Sequence, residues 1–237
     1  MGRTKGSVGV AAGLCLFAAS GAQAQGQSGR AFLDVNVGVQ APSQTLNSNA
    51  TFQLFGETAS VISAQTIAVA PVIDARIGYR TSDRFAVAVA VSGRKDESDG
   101  QAVASVPSPI LFGSPTVTTL NASGLTRREI GYHFQLVWFL SVWRKVEVSV
   151  YGGPSVIHLR QAMSGATATG QSVTVASANE TGNAFGGNGG IDATYMANDR
   201  VGVGFFAQYA GGSANLPSSS GVKVGGFQGG GGIRVRF

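Results

Sequence analysis

The chain has 237 residues, of which 43% are hydrophobic, only 12% are charged and 35 are glycine, with a formal net charge of +5. Scarce charge and plentiful apolar β-formers exclude a disordered chain, and glycines without a period of three exclude a collagen-like one. No second long apolar run follows the first, which excludes a bundle of membrane helices.

Residues 1–24 read as a secretory signal peptide. Arg3 and Lys5 form the basic region, Val8 to Ala19 the apolar region, and Ala22-Gln23-Ala24 a small-x-small cleavage site before Gln25. Cys15 is the one cysteine, and bulky Leu14 precedes it, where a lipoprotein signal needs a small residue. Losing Arg3 and Lys5 lowers the formal net charge to +3. Without a cluster of Lys and Arg there is no electrostatic footprint for nucleic acid. Residues 25–237 are expected to form one domain.

Past Gln25 the pattern alternates with period two, the signature of half-buried strands. Leu33, Val35, Val37 and Val39 oppose Asp34, Asn36 and Gly38. Val69 to Tyr79 set Ile73, Ala75 and Ile77 against Asp74, Arg76 and Arg80. Phe85 to Ser92 follow the polar turn Thr81 to Arg84. Ile130, Tyr132, Phe134, Leu136 and Trp138 oppose Gly131, His133 and Gln135. Val146, Val148 and Val150 oppose Glu147 and Ser149. Ile191, Ala193 and Tyr195 oppose Asp192 and Thr194. Val201 to Tyr209 follow the turn Ala197 to Arg200, and Ile233, Val235 and Phe237 oppose Arg234 and Arg236. That makes eight expected strands.

Their connections alternate strictly between short (Thr81–Arg84, Ser141–Lys145, Ala197–Arg200) and long (Ala41–Ala68, Lys95–Thr126, Gln161–Ala184, Gly211–Gly221). All short turns then lie on one rim and all long loops on the other. The expected fold is therefore all-β: an eight-stranded, antiparallel, up-and-down transmembrane β-barrel with short periplasmic turns and long outer loops. Tyr79, Phe85, Trp138, Phe139, Trp143, Tyr195 and Phe237 lie beside the short turns or the C-terminus. Tyr132, Tyr209 and Phe227 lie near the long-loop ends. Together they read as two aromatic girdles at the two membrane interfaces.

These features resemble the small eight-stranded outer-membrane β-barrels of Gram-negative bacteria, the OmpX-, OmpW- and OmpA-transmembrane-domain-like proteins. Ile233, Val235 and Phe237 match that family's C-terminal assembly signal, read by the barrel-assembly machinery. The resemblance implies export through the Sec pathway, residence in the outer membrane, and contact with outer-membrane lipid and lipopolysaccharide. It further implies a structural or surface-interaction role, with a small solute or a host ligand as a partner of the outer loops. The alternative it carries is a narrow channel or binder for small hydrophobic solutes.

By parity Asp34, Asp74, Glu129, Glu147 and Asp192 face inward, as do Arg76, Arg80, Arg234, Arg236 and His133. Eight strands leave room only for side chains, so these charges are expected to pair into a plug. His133 and His158 are the only enzyme candidates, as in lipid A-modifying barrels. Neither has a His-x-Ser neighbour, so no enzyme is expected. The break at Gly152-Gly153-Pro154 leaves the facing of His158 open. No cofactor or metal is expected. Gly202-x-Gly204-x-x-Ala207 lies within a strand rather than before a helix. Asp96-Glu97-Ser98-Asp99 lacks the EF-hand spacing and reads as a solvated loop. Phe52, Leu54, Phe55, Leu111 and Phe112 are expected in the long loops, capping the mouth or touching a ligand.

Overall fold

The computed structural model describes residues 30–41, 46–65, 69–108, 110–143, 145–169, 172–217 and 219–237. The signal-peptide segment lies outside them. The described residues form ten strands: β1 (Ala31–Gln40), β2 (Leu46–Leu54), β3 (Glu57–Gln65), β4 (Ala70–Arg80), β5 (Phe85–Val106), β6 (Thr116–Trp143), β7 (Val146–Thr169), β8 (Ser172–Met196), β9 (Val201–Ala214) and β10 (Val222–Arg236).

Eight of these close into a barrel. Neighbours pair antiparallel in the order β1, β4, β5, β6, β7, β8, β9, β10, and β10 returns to β1 with Asn36 opposite Gly232 and Gln40 opposite Gln228. The seam is tight at its glycines: a Cβ at Gly230 would collide with the backbone of Val37 and Gly38. A closed barrel pairs every wall strand on both sides and leaves no edge.

Each wall strand has two chemically distinct faces. On β4 burial alternates residue by residue from Ala70 to Tyr79, with Asp74 and Arg76 inside and Ile73, Ile77 and Tyr79 outside. Every second bond of a strand points to the same side, so the polar set fills the lumen and the Val, Ile and aromatic set forms an outer belt. The short turns are closed by local polar groups. The Ser82 hydroxyl accepts from the Phe85 N–H at 3.1 Å, and the Asn198 side chain accepts from the Arg200 and Val201 N–H groups at 2.9 and 2.8 Å.

The long connections differ from the expected loops. β2 and β3 form a hairpin inside the first, and β3 pairs with the outer part of β5. In the second and third, β5 to β8 run on for 22 to 28 residues. A strand crosses a bilayer in about 9–11 residues, so these four project well beyond it. The reason they escape pattern reading is physical: beyond the membrane the outer face meets water, the apolar half of the alternation disappears, and the backbone ladder continues without it. Ile110, Leu111 and Phe112 cap the β5–β6 hairpin, all exposed. Beside them the Gly113 N–H donates to Glu57 at 2.9 Å, next to the exposed Phe55 at the β2–β3 turn.

At Gly152 to Pro154 no register shift occurs. Tyr151, Ser155, Ile157 and Leu159 all stay inside, and His158 is exposed on the outer face with its Nδ1 2.7 Å from the Asn183 side-chain oxygen.

Candidate functional site in the barrel lumen

The lumen is filled in layers. Nearest the short turns, Glu147 takes both Arg80 and Arg236, with Arg80 bonding both carboxylate oxygens at 2.7 Å. The Arg80 guanidinium lies 3.8 Å from the centre of the Phe139 ring, which packs edge-on against Phe32 at 5.9 Å.

The next layer has three acids and two arginines. Arg76 donates to Asp34 at 2.7 Å, and its guanidinium sits 4.5 Å from the Tyr151 ring. Arg234 pairs with Asp192, lies 3.6 Å from Asp34, and donates to Asn36 at 2.6 Å. Asn36 in turn donates to Asp74 at 3.0 Å, and Thr194 to Asp192 at 2.7 Å. Every member is almost fully buried; Arg76, Arg234, Asp34 and Asp192 are ion-paired with one another, and Asp74 is held by the Asn36 amide.

A chain of neutral groups follows. Tyr151 donates to Gln208 at 3.2 Å, Gln208 to Gln228 at 2.6 Å, Gln228 to Gln40 at 2.8 Å, and Gln40 to Glu129 at 3.2 Å. Glu129 also accepts from Arg127 at 2.6 Å, lies 3.6 Å from Arg94, and accepts from the Gly225 N–H at 3.0 Å. Gly225 has φ +85°, a conformation that side chains rarely adopt, and this backbone carries its N–H to the carboxylate. Arg94 pairs with Asp96 at 2.6 Å. Above this layer Ile157, Leu159, Ala184, Ala214, Leu216, Val222 and Val224 pack into an apolar cluster.

Two small cavities lie in the lumen among the described residues. One of about 20 Å³ lies among Asp34, Arg76, Glu147 and Asp192, and one of about 10 Å³ beside His133, Ser92 and Gln228. The second has room for no more than one water. On the outer wall, a much larger apolar cleft of about 700 Å³ is lined by Ile77, Tyr79, Val89, Phe134, Leu136 and Pro154.

No family model matches the chain, and no curated protein matches it. Solved structures do. The outer membrane protein OprG from Pseudomonas aeruginosa superposes with a TM-score of 0.53 at 11% identity, over 89% of this chain and 97% of that one. Neisserial surface protein A matches with a TM-score of 0.42 at 16% identity, over 90% and 100% of the two chains. The N-terminal β-barrel domain of OprF from P. aeruginosa matches at 0.40 and 10%, over 89% and 100%. The chain has the fold of the small outer-membrane β-barrels.

Within this barrel, all ten charged and histidine residues expected inside do face the lumen. The structure brings nine of them into two ion-paired layers and the Glu129 cluster. His133 stands apart: its Nε2 lies 2.9 Å from the Ser92 hydroxyl and its Nδ1 2.8 Å from the Ser155 hydroxyl, which also accepts from Asn188 at 2.9 Å. The pairing that no single strand displays is made across β5, β6 and β7. Gly131 leaves the space for it, since a Cβ there would lie 2.7 Å from both His133 Nε2 and Ser92 Oγ.

Two expectations are corrected. Asp96 is not in a solvated loop but 7% exposed in the lumen, because β5 keeps its parity through Arg94, Asp96 and Ser98 while Glu97 and Asp99 face out. Phe139 is no girdle residue, since it shares the inward face of Val137 and packs edge-on against Phe32. Apolar clusters lie in the lumen beside the ion pairs, at both of its ends. Arg94, Arg127 and Tyr151 were missed, although continuing the two-residue count from Ser92, Glu129 and Ser149 reaches them.

Tyr79, Trp138, Tyr195, Tyr132 and Tyr209 point outward and are exposed, and Trp138 stacks on Phe85 at 6.5 Å. The side chains of Trp143 and Phe52 lie outside the described residues. Ile233 and Phe237 are exposed on the outer face of the seam, and the Phe237 N–H donates to the Ala31 carbonyl at 2.9 Å.

Proposed function

We propose that this chain is exported by its N-terminal signal segment, inserted into the outer membrane by the barrel-assembly machinery, and acts there as a closed structural and surface-interaction barrel. The observation that carries this reading is the filled lumen. Charged layers, a glutamine chain and two apolar clusters succeed one another from rim to rim, and the cavities of about 20 and 10 Å³ between them fit no solute. Recognition then belongs to the projecting hairpins. Their tips gather Phe55, Ile110, Leu111 and Phe112, an exposed apolar group that favours a protein or surface ligand.

The test is single-channel recording on the purified barrel in a planar bilayer. A flat trace is expected; discrete, reproducible conductance steps would overturn the closed reading.

A second reading, binding of small hydrophobic solutes, is favoured by one observation, the apolar cleft of about 700 Å³ on the outer wall. Its lining comes from β1 and β4 to β7 and not from the aromatics of the first long connection. It faces the acyl chains, so its occupant would arrive from the membrane and not through the lumen.

A further inference from the structure

Every wall strand that rises from the short-turn rim is entered through a cation. Arg30 precedes β1, Arg84 precedes β5, Lys145 precedes β7 and Arg200 precedes β9. The backbone repeats at all four corners, where the carbonyl of the cation accepts an N–H from the neighbouring strand. Arg80 donates to Arg30, Phe139 to Arg84 and Met196 to Lys145, each at 2.8 Å, and Arg236 donates to Arg200 at 2.7 Å. The four cations thus hold equivalent positions around the rim, and all four are exposed.

The outer wall beside them is nearly as regular. At three corners the register partner of the first strand residue is an exposed aromatic: Tyr79 opposite Ala31, Trp138 opposite Phe85 and Tyr195 opposite Val146. At the fourth, Val235 lies opposite Val201, and exposed Phe237 follows two residues on. Tyr and Trp rings settle at the headgroup level of a membrane interface. The connections from β4 to β5, β6 to β7 and β8 to β9 have only two to four residues, so they carry the cations no farther than that level. Long Lys and Arg stems hold a charge among the headgroups while lying along apolar surface.

The protein itself does not take up these charges. None of the four makes an ion pair among the described residues, although Asp83 and Asp199 directly precede Arg84 and Arg200. Glu147, at the same end of the lumen, already holds Arg80 and Arg236.

We infer that the short-turn rim is a collar of sites for anionic phospholipids of the periplasmic leaflet. At each corner the cation meets the headgroup phosphate and the outward ring packs below it on the glycerol and the upper acyl chains. The inference rests on the outer-membrane reading above. Alternate strands stand about 10 Å apart, so each corner meets its own lipid. The rings decide against the other polyanion of this compartment, the carboxylate-bearing cell-wall polymer, which presents no apolar chain for them to cover.

The chain carries its own reporter. Its two tryptophans, Trp138 and Trp143, both lie at the short-turn end of β6, so their fluorescence reads this rim and not the outer one. The full barrel is inserted into phosphatidylcholine vesicles containing phosphatidylglycerol, with bromine on the acyl chains of one lipid or the other as quencher. Brominated phosphatidylglycerol is expected to quench as if enriched about fivefold at the rim, the factor that one basic residue contributes near an anionic surface. Brominated phosphatidylcholine should show no enrichment. Replacing all four cations, Arg30→Gln, Arg84→Gln, Lys145→Gln and Arg200→Gln, should abolish the preference. The charge-keeping set Arg30→Lys, Arg84→Lys, Lys145→Arg and Arg200→Lys should retain it. The corner bonds are made by backbone groups, so heat-modifiable migration is expected for both sets and verifies their fold. Equal quenching by the two lipids, or a preference that survives the Gln set, would overturn the sites. So would a wild-type barrel that shows no lipid preference but is retained on isolated cell-wall sacculi through the same four cations. Failure of the membrane reading itself looks different: the wild-type chain would not insert, and neither brominated lipid would quench.

Discussion

Arg234 on β10 donates to Asn36 on β1 at 2.6 Å across the seam that closes the barrel, although 198 residues separate them in sequence. The same guanidinium pairs with Asp192 on β8. One side chain thus ties together three wall strands at the point where the last strand must find the first. Removing one partner of a buried ion pair costs about 3–5 kcal/mol, because the other charge is left uncompensated. Arg234→Ala is expected to lower stability by about that amount in reversible denaturant unfolding from vesicles. Arg84→Ala, in the exposed short turn, should change nothing. Equal stabilities for the two would mean that Arg76 holds Asp34 and Asp192 alone.

The outer belt has its own test. Val37 is 63% exposed on the outer face of β1, mid-strand. On a water-facing surface Lys would be tolerated there at no cost. On a lipid-facing one it costs about 2–4 kcal/mol near the midplane. Val37→Lys is expected to show that loss in the same unfolding assay. An unchanged or raised stability would make this a water-soluble barrel.

The wall strands were legible because membrane and lumen impose opposite chemistry on alternate residues. Asp74 beside Ile73 and Arg76 beside Ile77 display it directly. Parity alone placed Asp34, Glu129 and Asp192 on the inside. What parity does not carry is the partner. That Arg234 reaches Asp192 and that Glu147 takes both Arg80 and Arg236 depends on the stagger between strands, which hydrophobic alternation leaves unspecified. The outer extensions of β5 to β8 were hidden for another reason: once the outer face meets water, a paired strand of Ser, Thr and Ala looks like a loop. The contact of His133 with Ser92 and Ser155 was hidden because it is made sideways, strand to strand, and no motif along one strand encodes it.

Phe237 separates assembly from stability. Its ring is exposed on the outer face, and its N–H makes one bond to Ala31. Deleting it removes that bond and one interfacial ring, a small loss for a barrel closed along the whole of β1. Refolding into detergent is expected to proceed nearly as for the wild type, with the unboiled protein still migrating differently from the boiled one in SDS gels. Outer-membrane levels in cells should fall sharply if the residue is the assembly signal. Equal losses in both assays would assign Phe237 to packing alone.

The last expectation concerns the serine and histidine cluster. Separations of 2.9 and 2.8 Å are within the reach of a nucleophile and its base, so distance does not decide whether Ser92 or Ser155 reacts. Access and orientation do. His133 is 1% exposed, and the cavity of about 10 Å³ beside it admits no acyl substrate. Its two ring nitrogens are both taken by serines, leaving none for the carboxylate that orients a catalytic imidazole. The cluster is therefore expected to hold β5, β6 and β7 together. His133→Ala should cost about 1–3 kcal/mol by leaving buried hydroxyls unpaired. A fluorophosphonate probe should label neither serine in the folded barrel. Labelling of Ser92 or Ser155 that vanished in the still-folded His133→Ala variant would overturn this reading and make the barrel an enzyme.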